Sequence, residues 1–98
     1  MPKRIDENQP EIVKALRRIG ADWIPTSGDP MIGFDGLVLW RNHVLICEIK
    51  DGAKSASRRK LTDNEVKRRR QCESRGIPYL ILTSPEQAIE LIFSIGRS

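Results

Sequence analysis

Apolar residues along the chain recur in two different periods, and the switches between them mark out the elements. Ile12, Val13, Leu16 and Ile19 recur at helical spacing between Asn8, a candidate N-cap, and the stop at Gly20, so a helix is predicted over residues 8–19. Pro10 is tolerated in its first turn, and Lys14, Arg17 and Arg18 lie mostly off the apolar face. Ala21 to Pro25 reads as a short strand, followed by a loop dense in turn residues over 26–33. Two runs rich in Val, Ile and Leu, 34–41 and 44–50, flank a short polar turn and predict a hairpin. With Asn42-His43 as a two-residue loop, Arg41 would pair with Val44 and Asp35 would lie opposite Lys50. Residues 51–60 have no periodicity. Thr62-Asp63-Asn64-Glu65 fits a capping box, and Gly76 with Pro78 ends the helix that follows. Tyr79 to Thr83 is a fourth strand. Pro85 opens a last helix with Ala88, Ile89, Leu91, Ile92 and Ile95 on its buried side.

The order is α-β-β-β-α-β-α without repeats or a linker, which implies an α/β mixed sheet flanked by helices, with a parallel crossover through the second helix. Ninety-eight residues suit a single domain spanning 1–98. The apolar runs are too short for a membrane span, and the charged opening has no apolar stretch after it, so neither a membrane anchor nor a signal peptide is expected. Cys47 and Cys72 lack metal-ligand spacing and read as free thiols in a reducing compartment, the cytoplasm.

Charge changes this picture in two places. Asp35, Glu48 and Lys50 stand inside the apolar hairpin runs, where charge is costly unless it is paired or binds a metal. Alternation puts Glu48 and Lys50 on one face, and an even hairpin loop adds Asp35 to it. Alone, Glu-x-Lys on a strand usually signals a cross-strand ion pair. With Asp35, its flanking glycines and the basic stretch that follows, a site is the better reading. The segment Lys54–Arg75 holds nine Lys/Arg against Asp63, Glu65 and Glu73, or +6, leaving −2 for the remainder of a chain whose net charge is +4. A concentrated basic stretch beside an acidic pocket points to a polyanion such as nucleic acid.

Two converging carboxylates suit a hard divalent cation, Mg²⁺ or Mn²⁺, and an adjacent ammonium can hold water or stabilise a phosphoryl transition state. Those are the ingredients of phosphodiester hydrolysis. Glu11 near a helix N-terminus reads equally as dipole complementation or as part of the site. His43 reads as a turn residue, and Trp23 and Trp40 as core.

The stretches Asp6-Glu7-Asn8-Gln9-Pro10-Glu11-Ile12-Val13, Gly33-Phe34-Asp35, Glu48-Ile49-Lys50-Asp51-Gly52 and Arg59-Lys60-Leu61-Thr62 together resemble the PD-(D/E)XK nuclease superfamily. More narrowly, they resemble its small stand-alone VRR-NUC proteins, common in phages and prophages. Phe34 stands where that family often has Pro, and Glu65 where it often has Gln. The resemblance implies an αβββαβα restriction-endonuclease-like fold. It implies that Asp35, Glu48 and the backbone carbonyl of Ile49 hold the metal, with Glu11 contacting it directly or through water, and that Lys50 is catalytic. Nucleic acid would lie on Lys54, Ser55, Ser57, Arg58, Arg59, Lys60, Lys67 and Arg68. The expected activity is metal-dependent, structure-selective cleavage of DNA, duplex or branched, including Holliday (four-way) junctions. A homodimer without organic cofactor, working in a bacterial or phage-infected cell, completes the expectation. Its rivals are a non-catalytic DNA- or RNA-binding module on the same fold and an RNA endonuclease.

Overall fold

A computed structural model describes residues 7–26, 29–55 and 60–96. The element order is α1 (Gln9–Arg18), β1 (Asp22–Pro25), β2 (Gly36–Trp40), β3 (His43–Ile49), α2 (Asp63–Ser74), β4 (Tyr79–Leu82) and α3 (Pro85–Gly96), as the apolar periodicity predicts. The strands form one sheet in the order β1-β2-β3-β4. The pairs β1–β2 and β2–β3 are antiparallel, and β3–β4 is parallel across α2, so the sheet is mixed. No helix among the described residues is long and apolar enough to cross a membrane.

The two faces of this sheet have different fates. Trp23, Val38, Trp40, Leu45, Cys47, Ile49, Leu80 and Leu82 point one way and form a core with Ile12, Val13 and Leu16 of α1 and Ala88 and Ile92 of α3. Gly36 is required here because a Cβ would lie 2.5 Å from the Trp23 ring. On the other face, the register lines up Ile24, Leu37, Ile46 and Tyr79 in one row, and Leu39 beside Val44 in the next. Tyr79 is buried, but Ile24 and Val44 are exposed and Leu37, Leu39 and Ile46 only half-buried. α2 packs on this face at its β4 side and reaches the end of β3 through Glu65.

Two local expectations change. The hairpin loop has two residues, but they are Arg41 and Asn42, with Trp40 opposite His43. Arg41 adopts a left-handed φ of +54°, and its guanidinium lies 4.9 Å from the Trp40 ring centroid. Both two-residue loops keep every side chain on the same face, so the apolar pattern cannot distinguish them. Asn8 precedes α1 but makes no side-chain cap. Its amide instead donates to the carbonyls of Lys50 and Thr83, at 3.2 and 3.1 Å, tying the start of α1 to the C-terminal ends of β3 and β4. The capping box of α2 forms as expected, with Thr62 and Glu65 each accepting from the other's backbone N–H.

Candidate functional site

The open face carries charge at the end of β3 nearest α2. Extending the β2–β3 register beyond Gly36–Cys47 by one step sets Asp35 opposite Glu48. Asp35 belongs to this ladder, since its N–H donates to the Cys47 carbonyl at 3.0 Å. Its Oδ2 accepts from the Ile49 N–H at 2.7 Å, which fixes the carboxylate against β3. Along a strand, a residue's N–H and C=O point to the same side, so the Ile49 carbonyl also faces the Asp35 side. Lys50 follows, its N–H held by the Leu82 carbonyl at 3.0 Å.

The Lys50 ammonium lies 3.3 Å from Glu48 Oε2 and 3.0 Å from Glu65 Oε1. Asp35, Glu48 and Glu65 are 2%, 0% and 1% exposed, so three carboxylates and one ammonium share a nearly dry space. Burial pulls the Lys50 ammonium toward neutrality, but its hydrogen bond to Glu65 and the charges of Glu48 and Glu65 outweigh it and hold Lys50 above its ordinary value. The charged form of Lys50 is therefore favoured. Tyr79 borders the cluster, its hydroxyl donating to the Gly33 carbonyl at 2.8 Å. Burial, and then the charges of Glu48, Glu65 and Asp35, push its hydroxyl well up.

The donor set fits a hard divalent ion. Two carboxylates from adjacent strands and a backbone carbonyl offer oxygen ligands, and magnesium is commonly held by one or two carboxylates with waters completing its shell. Among the described residues, no group of three or more His, Cys, Asp or Glu is arranged to hold a metal by itself. Any ion at Asp35 and Glu48 would draw the rest of its shell from backbone, water or substrate.

Not every candidate joins this centre. Glu11 is exposed in the first turn of α1, three residues after Asn8, whose side chain holds the Lys50 carbonyl. Its place in the first turn matches the dipole reading. Lys54 is half-buried, 3.9 Å from Glu7. Ser55, Lys60 and Lys67 are exposed. Arg68 serves the fold first, its Nε donating to the Ile32 carbonyl at 2.7 Å and its Nη1 to Gln71. Ser57, Arg58, Arg59 and Asp6 lie outside the described residues. His43 is half-buried beside the hairpin turn, five residues before Glu48 on β3.

Sequence reasoning missed the parts played by Glu65, Asn8 and Tyr79. The signal for Glu65 was present as the third residue of a capping box, yet nothing local says that the same carboxylate also reaches Lys50. No protein-family model matches the chain, and neither a curated protein nor a solved structure matches it.

Proposed function

We propose that this chain is a divalent-metal-dependent DNA endonuclease that hydrolyses phosphodiester bonds, acts on branched DNA such as four-way junctions, and works as a homodimer. The observation that carries the reading is the convergence of Asp35, Glu48 and Lys50 on one sheet face in a nearly dry cluster. The resemblance to VRR-NUC proteins supports the same roles. Asp35, Glu48 and the Ile49 carbonyl would hold Mg²⁺ or Mn²⁺, with Glu11 contacting it directly or through water. A bound metal supplies charge neutralisation at the phosphoryl group and a more acidic water.

The protein's own groups do the rest. Asp35 is kept in place by the Ile49 N–H. Lys50, held charged by Glu48 and Glu65, presents a cation to the negative charge that develops on phosphate oxygens. Asn8 fixes the Lys50 backbone, so the ammonium starts from a defined point. Exposed Lys60 and Lys67 supply charge for the nucleic-acid backbone. The open apolar face, with Ile24 and Val44 exposed on it, supports pairing with a second copy.

Incubating labelled four-way junction, flap, duplex DNA and RNA with Mg²⁺, Mn²⁺ or EDTA tests the reading. DNA products are expected with metal and none with EDTA, and Lys50→Ala should lower cutting by roughly a hundredfold or more while binding persists. Metal-independent cutting, or full activity in Lys50→Ala, overturns the mechanism. Salt-sensitive binding without products would favour the non-catalytic module, and products from RNA alone the RNA endonuclease.

A further inference from the structure

Met31 is 68% exposed, the highest value among the large apolar side chains of the described residues. An exposed thioether is unremarkable on a free loop, but this one accepts from Asn64 of α2 at 3.5 Å through its sulfur, and its loop is tied down. The Met31 N–H donates to Asp29 Oδ1 at 2.9 Å, and the Ile32 N–H to the Asp29 carbonyl at 3.2 Å. The Pro30 carbonyl accepts from Asn64 of α2 at 3.3 Å, and the Ile32 carbonyl from Arg68 at 2.7 Å. Gly33, at φ +81°, packs so tightly on α2 that a Cβ would lie 2.7 Å from the Asn64 carbonyl. Tyr79 holds the Gly33 carbonyl from below. Backbone on both sides of Met31 is thus anchored to the elements that frame the cluster, and Asp35 follows two residues after Gly33.

The surroundings indicate the partner. Met31, Asn64, Lys67, Arg68 and Gln71 line a surface cavity of about 260 Å³. An apolar, polarizable side chain beside Lys67 and Arg68 suits a ligand that offers flat apolar surface and negative charge together. Stacked bases on a phosphate backbone have that combination, and methionine is among the side chains that wedge between base steps.

We propose that Met31 is a wedge that enters the nucleic acid at an open base step, while Lys67 takes a flanking phosphate. The inference rests on the DNA-cleaving reading above and specifies how that site selects its substrate. An intact duplex must be unstacked to admit the side chain, whereas a branch point is already open. A wedge on the anchored loop that leads into Asp35 therefore favours phosphodiesters beside a branch.

The test uses the full chain in EDTA with a four-way junction carrying 2-aminopurine at the branch, and a matched duplex as control. The parent chain should raise 2-aminopurine fluorescence on the junction. Met31→Ala should abolish that rise and weaken junction binding about tenfold, within the range that a lost base contact produces. Duplex binding should stay unchanged, and Met31→Leu should restore the junction signal. If Met31→Ala matches the parent in both fluorescence and junction affinity, the wedge is wrong while DNA binding by the parent leaves the nuclease reading standing. If the parent binds neither DNA, with or without Mg²⁺, both fail.

Discussion

Replacing Glu65 separates its two jobs. Its Oε1 accepts from the Thr62 N–H at 2.9 Å and from Lys50 at 3.0 Å. Glu65→Ala removes a capping interaction worth about 1 kcal/mol. It also removes a hydrogen bond between charged groups, worth roughly 1.5–3 kcal/mol. Some of this returns, because one fewer carboxylate faces Glu48 in a space with little water. A net loss of about 3 kcal/mol is expected, and at about 4–8 °C per kcal/mol for a domain of this size the midpoint should fall by ~12–24 °C. Glu65→Gln keeps an oxygen for both donors, since glutamine serves equally in a capping box, and should cost less than about 1 kcal/mol. Thermal unfolding followed by circular dichroism at pH 7.5 in EDTA measures both. Equal losses in the two variants would show that the oxygen bonded to Thr62 and Lys50 is not what stabilises the fold. The pH dependence has a definite sign. Lys50 is held above its ordinary 10.5, so its contribution is complete below that pH and disappears as pH rises through the higher folded value. The parent should therefore lose no stability through Lys50 between pH 7 and pH 9.

Two further outcomes test other parts of the molecule. Val44, 66% exposed on the open face beside the hairpin turn, should be essential to self-association: light scattering is expected to give twice the 11.2 kDa chain mass for the parent and the single mass for Val44→Lys. A parent of 11.2 kDa would remove the dimer. Burial pushes the Cys47 thiol up to about 12, so the fold favours its protonated form and loses stability as pH climbs from 9.0 toward that value. Alkylation of the native protein at pH 8 followed by peptide mapping should leave Cys47 unmodified, and rapid labelling there would show that the core opens readily.

Much of the architecture was legible because local chemistry repeats it. Turn residues bracket each run, α2 announces itself by Thr62 and Glu65, and the alternation around Glu48 places Lys50 beside it on one face. Face parity alone also brings Asp35 to that face. The same parity could not choose between Asn42-His43 and Arg41-Asn42 as the loop. A shift of one pair leaves each side chain facing as before, yet it moves Asp35 from Lys50 to Glu48. Asn8 shows a different limit. Its side chain suits a helix cap, and only the arrival of β3 and β4 offers it two carbonyls instead.

By itself, then, the sequence determined the elements, their order, the mixed sheet and the face on which Asp35, Glu48 and Lys50 meet, because these follow from periods of two and 3.6 residues and from short-range capping. The tertiary structure alone decided that Glu65, from a helix thirteen or more residues away in the chain, closes on Lys50, that Asn8 reaches the carbonyls of Lys50 and Thr83, and that the backbone around Met31 is tied to α2. These depend on how separate elements pack, and no local period records the distance between side chains that meet only after the sheet and its helices have assembled.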